Sequence, residues 1–119
     1  MNSTADTPVF RLEKITKRFG GLNALIEVNL SVKACEIMGL IGPNGAGNTT
    51  LFNVATSIYK PDAGDIYLGK KKITGKPSHH ICRLGISRTF QLVKTFLSMA
   101  AAENVLVGLF TAMDCGERR

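Results

Sequence analysis

The stretch LIGPNGAGNTTLF, positions 40–52, has residue types and spacing suited to holding polyphosphate. Gly42 and Gly47 stand five positions apart, and the pair Thr49-Thr50 follows almost at once. A G-x-x-x-x-G-K-[ST] pattern between a strand and a helix works through its backbone: N–H groups turn inward around phosphate oxygens, and glycine permits the dihedrals this needs. Pro43, Asn44, Gly45 and Ala46 complete the loop. A helix N-terminus beyond it adds partial positive charge. Thr49 offers a hydroxyl to Mg²⁺, and Thr50 is the next donor. The residue expected to be a lysine is Asn48, whose amide can donate hydrogen bonds but carries no charge. A hydrogen bond to a charged group contributes about 1.5–3 kcal/mol, against about 1 for a neutral pair. Some ground-state affinity is therefore expected to persist in weakened form. The larger loss should fall in the transition state of phosphoryl transfer, where developing charge must be held. The other reading of Gly42–Thr50 is a tight strand-to-helix turn with no ligand.

Elements on either side must position this loop. Val9–Phe19 suits a strand, with Phe10, Leu12 and Ile15 as inward positions, and Gly20-Gly21 breaks it. Leu25, Val28, Leu30 and Val32 largely alternate with polar residues, as in a half-buried antiparallel strand. Ile37–Ile41, IMGLI, is continuously apolar and predicts a strand covered on both faces. A helix from about Gly47 to Ser57 would place Leu51, Val54 and Ile58 on one face. Pro61-Asp62-Ala63-Gly64 reads as a turn, and Gly69-Lys70 joins Asp65–Leu68 to Lys71–Thr74 as a hairpin. Pro77 can open a short helix, with Ile81 and Leu84 apolar and Gly85 as its stop. Ile86–Phe90 suggests a short strand, residues 100–110 a helix, and DCGERR at the end a frayed tail.

The chain has 119 residues, 45% hydrophobic and 20% charged, which suits one small folded domain or a piece of a larger one. Its net charge of +6 is spread along the chain, so an ordinary solvated surface accounts for it better than a dedicated anion partner. Interleaved aromatics and a recognised nucleic-acid module are both lacking, so no nucleic-acid partner is expected. Cys35, Cys82 and Cys115 show no CxxC spacing and support neither a zinc site nor a redox pair. No apolar run approaches the length of a membrane span, so service to a membrane would come from outside the bilayer.

GPNGAGNTT resembles the Walker A loop of ABC transporter ATPases, which usually reads GPNGAGKTT. More narrowly, the chain is similar to ATPase subunits of branched-chain amino acid importers. The stretches carrying this are ITKRFGGLNAL (15–25), LIGPNGAGNTTLFN (40–53), residues 59–75 in outline, GISRTFQ (85–91) and ENVLVGL (103–109). The resemblance implies an α/β P-loop NTPase fold of the ABC ATPase type. This chain would supply its N-terminal half: an antiparallel β subdomain and the Walker A strand-loop-helix. Residues 1–8 would be a flexible leader and 9–119 a partial ATPase domain. It further implies ATP and Mg²⁺ as cofactors, membrane permease subunits and a second ATPase subunit as partners, and a place on the cytoplasmic face of the inner membrane. Phe19 matches the aromatic that stacks on adenine, with an ordinary core phenylalanine as the alternative. Gln91 matches the Q-loop glutamine, which senses Mg²⁺ and the attacking water. Without the resemblance it is a loop residue with no role. Leu92–Phe110 matches the region that receives a coupling helix from the permease, with a plain packed helix as the alternative.

Four departures from the family pattern stand out. Asn48 replaces the Walker A lysine. Ala34-Cys35-Glu36 lies where the family usually has glycine before the glutamate, and Ser57 is near a place where glycine tends to end the helix. The chain also stops before the LSGGQ-type signature, the Walker B aspartate with its catalytic glutamate, and the switch histidine. His79 and His80 precede the Q-loop position and would be solvent-facing near a helix start. In the family, the strand leading to the phosphate loop pairs with a strand from that further half. Its apolar edge would otherwise be open to aggregation or to a partner. The expectation is an ATP-binding subunit with weakened binding and no hydrolysis by this chain alone, or else a degenerate, non-enzymatic fragment that docks to a partner.

Overall fold

The computed structural model describes residues 7–43, 45, 47–90, 92 and 94–116, with side chains as far as Leu109. Two long strands dominate, β1 (Pro8–Phe19) and β2 (Leu22–Lys33), folded back on each other at Gly20, whose φ of 58° a glycine accepts readily. β3 (Ala63–Leu68) pairs antiparallel with the other edge of β1, and the two-residue β4 (Lys71–Lys72) closes the sheet in the order β2-β1-β3-β4.

The register of β1 on β2 is interrupted, and the interruption explains which side chains face inward. Leu12 and Ile15, three residues apart, are both buried, which a regular strand cannot achieve because its side chains alternate. The pairing shifts between them, at Lys14 (φ 49°), and Glu27 (φ 45°) bends β2 opposite. Side chains take up the backbone donors at both irregularities: Lys14 N–H donates to Asn29 Oδ1 (2.9 Å) and Glu27 N–H to Thr16 Oγ1 (3.1 Å). Gly64 sits against this bulge, where a Cβ would run into the carbonyls of Glu13 and Lys14.

The helices α1 (Asn48–Ala55) and α2 (Ser78–Arg83) contribute the rest of the core. Leu51 and Val54 of α1 and Ile81 of α2 pack with Leu12, Ile15, Leu25, Ile66 and Ile73. α1 is shorter than the expected 47–57 helix, and Ile58 is consequently 45% exposed. Pro77 precedes α2 with extended backbone, and Gly85 ends it at φ 104°, as their residue types imply. His79 is exposed, whereas His80 is half-buried, and that burial pushes its imidazole below its ordinary pKa.

Three expectations are corrected. Ile37–Ile41 forms no strand: Ile37 is 100% and Ile41 97% exposed, with Met38 and Leu40 also exposed. A strand apolar on both faces needs neighbours along both edges, and none of the described strands lies beside this segment. Ile86–Phe90 is irregular for the same reason, held instead by a hydrogen bond from Arg88 to the side chain of Asn53 and by the Arg88 guanidinium over the Phe90 ring. The expected frayed tail is instead helical through Gly116, because α3 runs Ala101–Gly116. α3 starts cleanly: Glu103 Oε2 accepts Ala100 N–H (2.8 Å), and Asn104 bonds Phe96 at both backbone groups and the carbonyls of Met99 and Ala100.

Candidate nucleotide-binding site

The candidate phosphate loop leads into α1 through two glycines whose backbone is described. Gly45 has φ 88° and Gly47 φ 89°, both left-handed. Gly47 is also the N-cap residue of α1, and its carbonyl accepts the N–H of Leu51 (2.8 Å). Among the described residues no side chain caps the helix, and no acidic residue lies in its first turn. The donors and partial positive charge of that turn are therefore not offset by a residue of the turn itself. Gly47 is required on a second count, since a Cβ there would lie 2.6 Å from the Ala24 carbonyl oxygen and 3.1 Å from Leu25 Cδ2. The loop thus closes against β2, in space that only a glycine leaves free.

Around this backbone, Thr49 is exposed while Asn48 and Thr50 are half-buried. Gly42 and Pro43 are exposed on the approach. Asn44, Ala46 and Gln91 lie outside the described residues. Two shallow concavities on the sheet, around Glu13 and Asn29, include none of the phosphate loop. A site made of exposed backbone donors does not depend on a side-chain cavity.

Phe19, at the end of β1, is 41% exposed, so it is not the ordinary core phenylalanine that the residue pattern also allowed. Its ring meets Tyr59 edge-to-face, with centroids 5.3 Å apart and planes at 72°, and Lys17 Nζ lies 5.4 Å from its centroid. Sequence reasoning assigned nothing to Tyr59 and read Asp62 only as a turn residue. In the structure Asp62 Oδ2 accepts the Arg18 N–H (2.7 Å), and Oδ1 accepts from Lys17 Nζ (3.3 Å). The Arg18 N–H, with the nearby Lys17 cation, holds the Asp62 carboxyl below the usual carboxylate range. The turn after α1 is thereby tied to the strand that carries Phe19.

A left-handed glycine loop opening a helix, flanked by an antiparallel sheet, defines an α/β nucleotide-binding fold of the P-loop kind. The ABC transporter family model matches residues 25–118, and the chain belongs to that family. It is 48% identical over 100 residues to the high-affinity branched-chain amino acid transport ATP-binding protein BraF of Pseudomonas aeruginosa, a match covering 84% of this chain and 39% of that one. It is 44% identical over 109 residues to LivG of Escherichia coli, a protein of the same description, over 92% of this chain and 43% of that one. Among solved structures, a nucleotide-free ATP-binding cassette from an ABC transporter superposes with a TM-score of 0.70 at 37% identity, over 87% of this chain and 45% of that one. A dimeric bacterial ABC transporter cassette gives 0.75 at 28% identity, over 85% and 47%. The chain thus spans about two fifths of the length of the curated relatives it matches.

Proposed function

We propose that this chain is part of an ATP-binding subunit of a branched-chain amino acid importer, and that it binds Mg·ATP weakly without hydrolysing it alone. The observation that carries the binding half is the pair of left-handed glycines, Gly45 and Gly47, opening a helix that has no capping side chain among the described residues. The identity to BraF and LivG supports the solute class.

Backbone N–H donors within Gly42–Thr50, all but Pro43 and including Asn44, Ala46 and Asn48, would hold the phosphates, and Phe19 would take the adenine. Mg²⁺, when bound, neutralises phosphate charge. The Thr49 hydroxyl would hold it, with Gln91 as second ligand and sensor of the attacking water. Asn48 can hydrogen-bond a phosphate oxygen but cannot offset its charge, so affinity falls and stabilisation of the transferring group falls further. Permease subunits and a second ATPase subunit are the partners, at the cytoplasmic face of the inner membrane. No described helix is long and apolar enough to cross a membrane, so contact with permeases would be peripheral. A second reading, a docking fragment without enzymatic activity, draws on the exposed apolar run Ile37–Ile41. A phosphate-release assay on the purified chain tests the proposal: release at background with measurable Mg·ATP binding is expected, and steady turnover refutes it.

A further inference from the structure

Tyr59 lies outside the phosphate loop, yet its contacts reach both halves of the candidate site. Its N–H donates to the Asn53 carbonyl (3.1 Å), which also accepts the Ile58 N–H (2.8 Å), so the end of α1 sets where Tyr59 begins. Its ring meets Phe19 edge-to-face at 5.3 Å. Three residues on, the Asp62 N–H donates to the Thr16 carbonyl (2.9 Å) and the Asp62 carboxylate binds Arg18 and Lys17, closing the same stretch onto β1. Both rings keep surface for a ligand, with Phe19 41% and Tyr59 39% exposed. An edge-to-face pair has a preferred mutual orientation, so one ring constrains the plane of the other.

The geometry points to Tyr59 as a positioning residue for a purine base: its ring holds Phe19 in the plane on which the base stacks, and its backbone fixes that platform to the helix following the phosphate loop. This rests on the reading of Phe19 as the base platform. It makes base recognition separable from phosphate recognition, since Tyr59 acts on Phe19 and not on the loop glycines.

The test titrates the whole chain with Mg·ATP and with magnesium tripolyphosphate, which lacks the base, for the parent, Tyr59→Leu and Tyr59→Phe. Tyr59→Leu is expected to weaken Mg·ATP roughly 2- to 12-fold, the worth of one aromatic pair. Tripolyphosphate affinity should stay unchanged, and Tyr59→Phe should restore the parent value for Mg·ATP. Proton NMR of the Phe19 ring supplies a ligand-free readout, whose ring-current shift should disappear in Tyr59→Leu and remain in Tyr59→Phe. An equal loss for both ligands, or no loss for either, overturns the positioning role. So does a retained ring-current shift in Tyr59→Leu. Binding of tripolyphosphate with no gain from adenine overturns the Phe19 platform. If the parent binds neither ligand, the nucleotide reading fails and the role of Tyr59 falls with it.

Discussion

Replacing Gly47 with alanine should destabilise the chain far more than the same change at Gly45, although the two share nearly the same backbone angle. A left-handed conformation costs a non-glycine residue about 1–2 kcal/mol, and Gly45 (φ 88°) and Gly47 (φ 89°) both incur it. Only Gly47 meets an obstacle. Its added Cβ would lie 2.6 Å from the Ala24 carbonyl oxygen and 3.1 Å from Leu25 Cδ2, whereas no atom of the described residues lies within 4 Å of one at Gly45. Neither neighbour yields readily, since Ala24 is fixed within β2 and Leu25 is 5% exposed in the core. Forcing an extra carbon into packed surroundings costs about 1–3 kcal/mol more. Gly45→Ala should therefore lose about 1–2 kcal/mol and Gly47→Ala about 2–5. At about 4 °C per kcal/mol for a domain of this size, Gly47→Ala should melt at least 8 °C below the parent or so. Urea denaturation and thermal melts of the three proteins side by side decide the matter. Equal stability of the two variants would refute the close approach of the loop to β2.

Further predictions concern the same scaffold. Cys35 (φ 60°) and Ser57 (φ 58°) stand in left-handed backbone, which glycine adopts more readily than they do. Cys35→Gly and Ser57→Gly should each raise stability by about 1 kcal/mol, read as a higher urea midpoint. Asp62 has a lowered native pKa, so the unfolded chain binds its proton more tightly than the native one. Its contribution is complete above the unfolded value of about 3.9 and disappears as pH falls through the native one. Asp62→Asn should lower the melting temperature near neutrality, and the gap to the parent should close in strong acid. Ile37 and Ile41 are almost wholly exposed. Changing both to lysine should raise solubility, measured as the concentration at the onset of light scattering, and leave the melting temperature within 2 °C or so, since exposed substitutions rarely shift stability by more than about 0.5 kcal/mol.

Legibility in the sequence followed how local the determining interaction is. The β1–β2 pair, the Gly69 hairpin, α2 between Pro77 and Gly85, and the loop into α1 were all readable, because alternation, turn residues and capping act within a few positions. The run Ile37–Ile41 was readable only as a strand in need of neighbours, and those are not among the described residues. The bulge at Lys14 and Glu27 left a trace as the three-residue spacings Leu12–Ile15 and Leu25–Val28, but its pairing emerges only from the register. The clamp formed by Asp62 and the pairing of Tyr59 with Phe19 span 44 and 40 positions, and no local pattern reports contacts at that range. The two departures at Cys35 and Ser57 were visible as residue types, and the left-handed angles supply their physical meaning.

The central claim is that the loop cups polyphosphate with the uncharged Asn48 at the position where a lysine was expected. Isothermal titration of Mg·ATP into the parent and into Asn48→Lys tests it most directly. Asn48 can already donate to an anionic phosphate oxygen, so the lysine adds an opposite charge to an existing bond, worth about 0.2–1 kcal/mol in an open site, or roughly 1.4- to 5-fold in affinity. The account predicts saturable binding of one nucleotide per chain, tightened by that factor in Asn48→Lys. No binding heat from either protein at millimolar Mg·ATP would contradict it.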